Sequence, residues 1–143
     1  MIYITRKAHF NAAHRLHNPS KTDQWNRETY GKCSHPNWHG HNYILEVVVA
    51  GEPDPETGFV IDLGKLYKIV EQEIIKPCDH KNLNLDVPFL KDVIPTTENL
   101  VKTFYYQLKN PVEKAAAKGS ILYSLRLFET ERNFAEYCPN ARI

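Results

Sequence analysis

The sequence is short of cysteine, of charge of a single sign and of long apolar runs, and each shortage removes a class of protein. Only three cysteines occur, Cys33, Cys78 and Cys138, with no C-x-x-C pair among them. An odd, small set is a poor disulfide framework, and the missing pair sets zinc fingers aside. Such a chain suits a reducing cytoplasm, where a thiol stays free to act as nucleophile or base. The 18 basic residues stand against 17 acidic ones, a formal net charge of +1. That balance gives no electrostatic reason for nucleic acid or an anionic membrane as partner. No run of about 18 apolar residues exists, so no membrane-spanning helix is expected. The first residues, Met-Ile-Tyr-Ile-Thr-Arg, lack the basic, apolar and small-residue regions of a secretory signal. Repeats and low-complexity tracts are absent. So is H-E-x-x-H, which leaves a zinc hydrolase without its usual glutamate base.

What is present fits one domain over residues 1–143. The chain is long enough for a core of its own and short for two, and its hydrophobic fraction is 42%. Residues 2–10, with Ile2, Ile4 and Phe10 among polar neighbours, read as a first strand. Residues 17–37 are rich in Asn, Pro, Lys, Asp and Ser and read as a long loop, a length that usually marks function or mobility. Asn42 to Ala50 is a β-branched and aromatic run, a second strand. The stretch from Gly51 to Gly58 is dense in turn formers. Asp62 caps a helix whose Leu63, Leu66, Tyr67, Val70 and Ile74 share one face and which Pro77 stops. Thr96, Thr97 and Glu98 open a second helix with the apolar stripe Leu100, Val101, Phe104, Tyr105 and Leu108. Ile121 to Phe128 is a third strand and Asn133 to Cys138 a fourth. The order β-β-α-α-β-β predicts an α+β domain, a four-stranded antiparallel sheet with two helices on one face.

The sharpest local signal is His39-Gly40-His41. In an extended backbone, residues two apart share a face, and Gly40 permits a close backbone approach. His14, beyond the end of the first strand, can supply a third imidazole if the first two strands pair. Three neutral nitrogens with an open fourth position are how a catalytic zinc is held. His9, His17 and His35 compete for the same role, and spacing alone does not choose among them. Cys33 lies six residues before His39; beside a metal ion and Lys32 its thiol would ionise readily, whereas a free cysteine more often packs as a small hydrophobe. Cys78 and Cys138 take that second role. Asp79-His80 pairs a carboxylate with a group that titrates near neutrality and can relay a proton, or it is a polar turn. Glu129, after an apolar strand, is either a solvated strand end or a carboxylate that accepts from a planar N–H edge.

Taken together, Phe10-Asn-Ala-Ala-His14-Arg15-Leu16, Gly31-Lys-Cys33, His39-Gly-His41-Asn-Tyr43, Lys76-Pro-Cys-Asp79-His80-Lys-Asn-Leu83, Thr96-Thr97-Glu-Asn99 and Glu129-Thr130 resemble the 6-pyruvoyltetrahydropterin synthases, in the family's order and over nearly the whole chain. The resemblance implies a zinc ion held by His14, His39 and His41, and Cys33 as general base. It implies that Asp79 and His80 complete a catalytic triad across a subunit boundary, and that Glu129 anchors a pterin ring with Thr96 and Thr97 nearby. It implies the tunnelling fold, in which trimers close a twelve-stranded barrel and two trimers stack as a hexamer. The implied reaction converts 7,8-dihydroneopterin triphosphate to 6-pyruvoyltetrahydropterin and triphosphate, with Arg6, Arg15 and Lys32 as equal candidates for steering the triphosphate. The sequence departs from the family at Cys78, where an aliphatic residue is usual, in the loop holding Trp25, in Asn110 to Gly119 and in the tail from Tyr137.

Two other readings compete. The 6-carboxytetrahydropterin synthases of deazapurine (queuosine) synthesis use a similar substrate, zinc and cysteine. They usually place three residues between the cysteine and H-G-H, where this chain has five, Ser34 to Trp38. A non-catalytic zinc- or pterin-binding module would keep the three histidines without need of Cys33, Asp79 and His80.

Overall fold

The computed structural model describes residues 1–140; the last three residues of the divergent tail lie outside the described part. β1 (Ile2–His14) and β2 (His39–Gly51) pair antiparallel along their whole lengths, from Ile2 opposite Gly51 to His14 opposite His39. Both strands therefore run several residues past the ends their apolar alternation marks. The added rungs are built from small residues, Ala12, Ala13 and Gly40, which carry no hydrophobic signal but let the ladder continue. Gly40 is required at its rung. A Cβ there would sit 3.2 Å from the Ala12 carbonyl oxygen.

Side chains alternate across the sheet. Phe10, Ala12 and His14 of β1 and Tyr43, Leu45, Val47 and Val49 of β2 face the helices and are buried. β4 (Ile121–Phe128) pairs with β2, and a bulge at Val48/Val49 leaves Tyr123 outside the ladder. The extra residue changes the parity of the strand, so that Leu122 before it and Leu125 and Leu127 after it all reach the core. β5 (Phe134–Tyr137) completes this side of the sheet.

The expected four-stranded antiparallel sheet is corrected to five strands in the order β3-β1-β2-β4-β5, with one parallel pairing. β3 is only Lys81–Asn82, set beside Ala12 and Ala13. His80 N donates to Asn11 O at 2.6 Å and Leu83 N to Ala13 O at 2.8 Å. A two-residue polar strand held by backbone bonds has no alternation from which to read it. The loop assigned to 17–37 likewise contains a helix, α1 (Asp23–Tyr30), capped by Thr22, whose hydroxyl accepts from Trp25 N. Its buried residue is Asn26, which bonds Asn18 and Thr22 instead of packing an apolar stripe. A 3-10 turn, Gly31–Ser34, follows.

α2 (Leu63–Val70) starts where Asp62 accepts from Lys65 N. It widens into a π turn at Glu71–Ile75 and closes through α3 (Lys76–Cys78), one residue past Pro77. Proline lacks the N–H that a regular turn would use, and the widened turn sits directly before it. Leu66, Val70 and Ile74 are buried as expected. Leu63 and Tyr67 are not; Tyr67 instead carries the Arg6 guanidinium 4.6 Å above its ring. α4 (Thr97–Ala115) buries the whole expected stripe together with Val112. α2 packs on β1 and α4, and α4 packs on β4 and β5, so both cover the same side of the sheet. Phe10 stacks on Tyr43 with centroids 4.9 Å apart and meets Phe104 edge-on at 6.0 Å, tying sheet to helix just below His14.

Candidate metal centre and active site

Three histidines meet where β1 ends and β2 begins. Register sets His14 opposite His39, and period two sets His41 beside them on the helix-facing side. Their ring centroids lie 4.6 to 5.1 Å apart, and one ligand nitrogen from each falls within 4.8 Å of the others. The rival histidines are elsewhere: His9 is exposed, His17 takes a bond from Arg15, and His35 accepts from Asn37 N.

The chemistry of these nitrogens fits a metal ion. His14 is 1% exposed, and its Nδ1 lies 2.9 Å from the Pro95 carbonyl. A carbonyl only accepts, so Nδ1 carries the proton and Nε2 keeps its lone pair. Burial pulls the His14 pKa down to about 4, against the Pro95 bond, which raises it. The His41 pKa is lowered too, by burial first, with the nearby Glu129 carboxylate opposing. Neutral imidazoles are the form that binds metal. His39 Nδ1 and His41 Nε2 are buried without a hydrogen-bond partner among the described residues, a cost that coordination would remove.

Glu129, one residue past β4, brings its carboxylate to the same place. Oε1 is 3.4 Å from His41 Nε2 without hydrogen-bond alignment, and Oε2 accepts from the Thr97 hydroxyl at 2.8 Å. Thr97 opens α4, so the carboxylate also sits at the positive end of that helix dipole. Thr96 does different work: its hydroxyl caps the helix by accepting from Asn99 N. A carboxylate held by one hydroxyl keeps lone pairs for a ligand with adjacent N–H donors.

Cys33 is half-buried in the 3-10 turn and is not a member of the histidine cluster. Its carbonyl accepts from Leu16 N at 2.8 Å, which docks the turn against the end of β1 two residues past His14. Asp79 and His80 bond each other, Oδ2 to Nδ1 at 2.9 Å, and Asp79 Oδ1 accepts from Asn11 N. That backbone bond is the main cause of a lowered Asp79 pKa. His80 is exposed and has φ +58°, an uncommon backbone region for a side-chain-bearing residue. His80 borders an open groove of about 550 Å³ with Asn11, Gly40, His41, Asn42 and Lys81. Neither Asp79 nor His80 belongs to the histidine cluster.

Sequence reasoning missed three supports of the site. The Pro95 carbonyl fixes the His14 tautomer, and a main-chain acceptor leaves no mark in residue type. The Tyr43 hydroxyl lies 3.3 Å from His14 Nδ1, and burial raises its pKa well above the ordinary phenol value. Extending the period-two row His39, His41 by one step would have found it. Asn84 clamps the strand beyond His14, accepting from Arg15 N at 3.0 Å and donating to Arg15 O at 2.9 Å.

Residues 3–140 match the family model described as 6-pyruvoyl tetrahydropterin synthase. A 6-pyruvoyl tetrahydrobiopterin synthase of Poecilia reticulata is 45% identical over 135 residues, 94% of this chain and 88% of that protein. A 6-carboxy-5,6,7,8-tetrahydropterin synthase of Aquifex aeolicus is 32% identical over 159 residues, 94% of this chain and 96% of that one. The solved structure of Caenorhabditis elegans 6-pyruvoyl tetrahydropterin synthase superposes with a TM-score of 0.86 at 37% identity, covering 97% of this chain and 96% of that one. By the family model, these relatives and that shared fold, the chain belongs to the 6-pyruvoyl tetrahydropterin synthase family.

Proposed function

We propose that the protein is a zinc-dependent lyase that converts 7,8-dihydroneopterin triphosphate to 6-pyruvoyltetrahydropterin and triphosphate, a step of tetrahydrobiopterin synthesis. The observation that carries this reading is the three-histidine cluster set beside the Glu129–Thr97 clasp. It pairs a seat for a metal with a seat for an N–H-rich ring. The name of the relative at 45% identity supports the pyruvoyl product over the carboxy one, as do the five residues between Cys33 and His39.

His14, His39 and His41 would hold the ion, which would supply Lewis-acid chemistry to the substrate side chain. Glu129 accepts from the pterin N–H edge and is held by Thr97, with Thr96 fixing the helix end. Cys33, as thiolate, takes a carbon-bound proton. The electron pair enters the pterin ring, so the ring is reduced as the side chain is oxidised and no external redox partner is needed. His80, oriented by Asp79, exchanges protons with the side chain, and triphosphate leaves by elimination.

The absence of Asp79 and His80 from the histidine cluster supports a triad completed across a subunit boundary. β1 pairs with β3 only at Ala12 and Ala13, so its outer edge over residues 2–11 has no strand partner among the described residues. An open edge of that length calls for cover. This supports trimers closing a twelve-stranded barrel and stacking as a hexamer. We place the protein in the cytoplasm, where its three unpaired thiols persist, as a single pterin synthase-like domain.

The test is product identification. Zinc-loaded protein is given 7,8-dihydroneopterin triphosphate without oxygen, and the pterin product is identified by mass spectrometry. The expected result is a 6-pyruvoyl product with free triphosphate, lost in Cys33→Ala. A 6-carboxy product with acetaldehyde would move the protein to the carboxy branch of the family, and absence of turnover would refute the substrate.

A further inference from the structure

A second cleft, of about 430 Å³, lies between α1 and the Cys33 turn, a size typical of small-ligand sites. Arg15, Arg27 and Lys32 line it with the imidazoles of His17 and His35, against the single carboxylate of Asp23. Among the described residues, none of the three cations takes part in an ion pair. Arg15 is anchored: Nη2 donates to Ser34 O at 3.0 Å and to His17 Nδ1 at 3.1 Å, and the guanidinium lies over the Trp38 ring. Its buried Nε–H has no acceptor. His17 Nδ1 accepts from Arg15, and His35 Nδ1 accepts from Asn37 N at 3.1 Å. Both rings, even when neutral, therefore carry their proton on Nε2 and act as donors. Cations and N–H donors outnumber acceptors, as recognition of a polyanion requires.

We infer that this cleft seats an oligophosphate chain. Resting on the proposed reaction, it holds the triphosphate of the substrate and singles out Arg15 and Lys32, over Arg6, as the cations that do so. Arg15 directly follows His14, and Lys32 directly precedes Cys33, so the cleft opens one residue from each of the groups proposed to act on the side chain. Arg6 is instead occupied on the Tyr67 ring, away from the cleft. Arg27 reaches in from α1, and the loop holding that helix is thereby assigned a role in gripping the leaving group.

The experiment uses inorganic triphosphate as probe, titrated calorimetrically into zinc-loaded protein at fixed ionic strength. It is repeated on Arg27→Gln and Lys32→Gln, both at exposed positions and each checked for native circular dichroism. Lys118→Gln is the charge control. Lys118 lies beyond the far end of α4, whose 19 residues separate it from Thr97 by roughly 28 Å. Triphosphate is expected to bind, each cleft variant to weaken it about tenfold, which is about 1.4 kcal/mol, and Lys118→Gln to leave it unchanged. Arg27→Gln is further expected to raise KM for the pterin triphosphate by a similar factor with kcat retained. No binding, equal weakening by all three variants, or wild-type affinity in both cleft variants would overturn the inference. The two readings fail separately. Specific triphosphate binding without pterin turnover would keep the cleft and refute the reaction, and normal turnover with a wild-type KM in Arg27→Gln would do the reverse.

Discussion

Acid is expected to unfold the metal-stripped protein largely through His14. The group's pKa is about 4 in the folded chain against 6.5 when free. Between those values the unfolded chain binds a proton that the folded chain refuses, so stability rises with pH across the window and falls as pH drops from 6.5 towards 4. The slope for one proton is about 1.4 kcal/mol per pH unit, and over the window the loss approaches ~3 kcal/mol. That is a large part of the ~5–15 kcal/mol by which a domain is usually stable. The His41 pKa is lowered as well and adds in the same direction. Asp79, also lowered, acts in the same direction at lower pH: its contribution is present above the ordinary carboxylate pKa and is lost as pH falls through its lowered folded-state value. The assay is urea unfolding of chelator-treated protein from pH 8 to pH 4, at one protein concentration, beside His14→Leu. The variant leaves the Pro95 carbonyl unpaired and is less stable at pH 8, but its stability should vary less with pH between 6.5 and 4. A His14→Leu variant with the full wild-type slope would refute burial of a neutral imidazole as the source. Zinc, which binds only the neutral rings, should raise stability most at high pH and steepen the acid loss.

Three further outcomes follow from the geometry. Gly40→Ala sets a Cβ 3.2 Å from the Ala12 carbonyl, on the rung between two histidines of the cluster; it should destabilise by about 1–2 kcal/mol and weaken zinc binding about tenfold in a chelator competition, and unchanged metal affinity would show that the rung does not set ligand spacing. Thr97→Val removes the hydroxyl that donates to Glu129; it should raise KM roughly fivefold, about 1 kcal/mol, with zinc content by elemental analysis unchanged. Cys33→Ala should retain zinc stoichiometry, because the thiol is outside the histidine cluster, while turnover falls below detection; loss of zinc with the thiol would make Cys33 a ligand.

The fold was legible wherever burial writes a period into the chain. The stripe from Leu100 to Leu108 and the run from Tyr43 to Val49 bury the residues their spacing selects. Legibility failed where backbone or polar bonds do the holding. β3 rests on two amides, α1 on Thr22 and a buried Asn26, and the last rungs of β1 and β2 on alanine and glycine. The site divides along the same line. His39 and His41 are placed by strand period alone. His14 needed a register that only the unseen rungs supply, which is why His9, His17 and His35 could not be excluded from spacing. The clasp between Thr97 and Glu129 joins residues 32 apart in sequence and follows from no local rule. It exists because α4 packs along β4 and β5, which brings the start of the helix to the end of the strand. The polar site thus depends on the apolar stripe beneath it: the contact of Phe104 with Phe10, itself stacked on Tyr43, fixes where Pro95 and Thr97 stand, and through them the tautomer of His14 and the aim of Glu129.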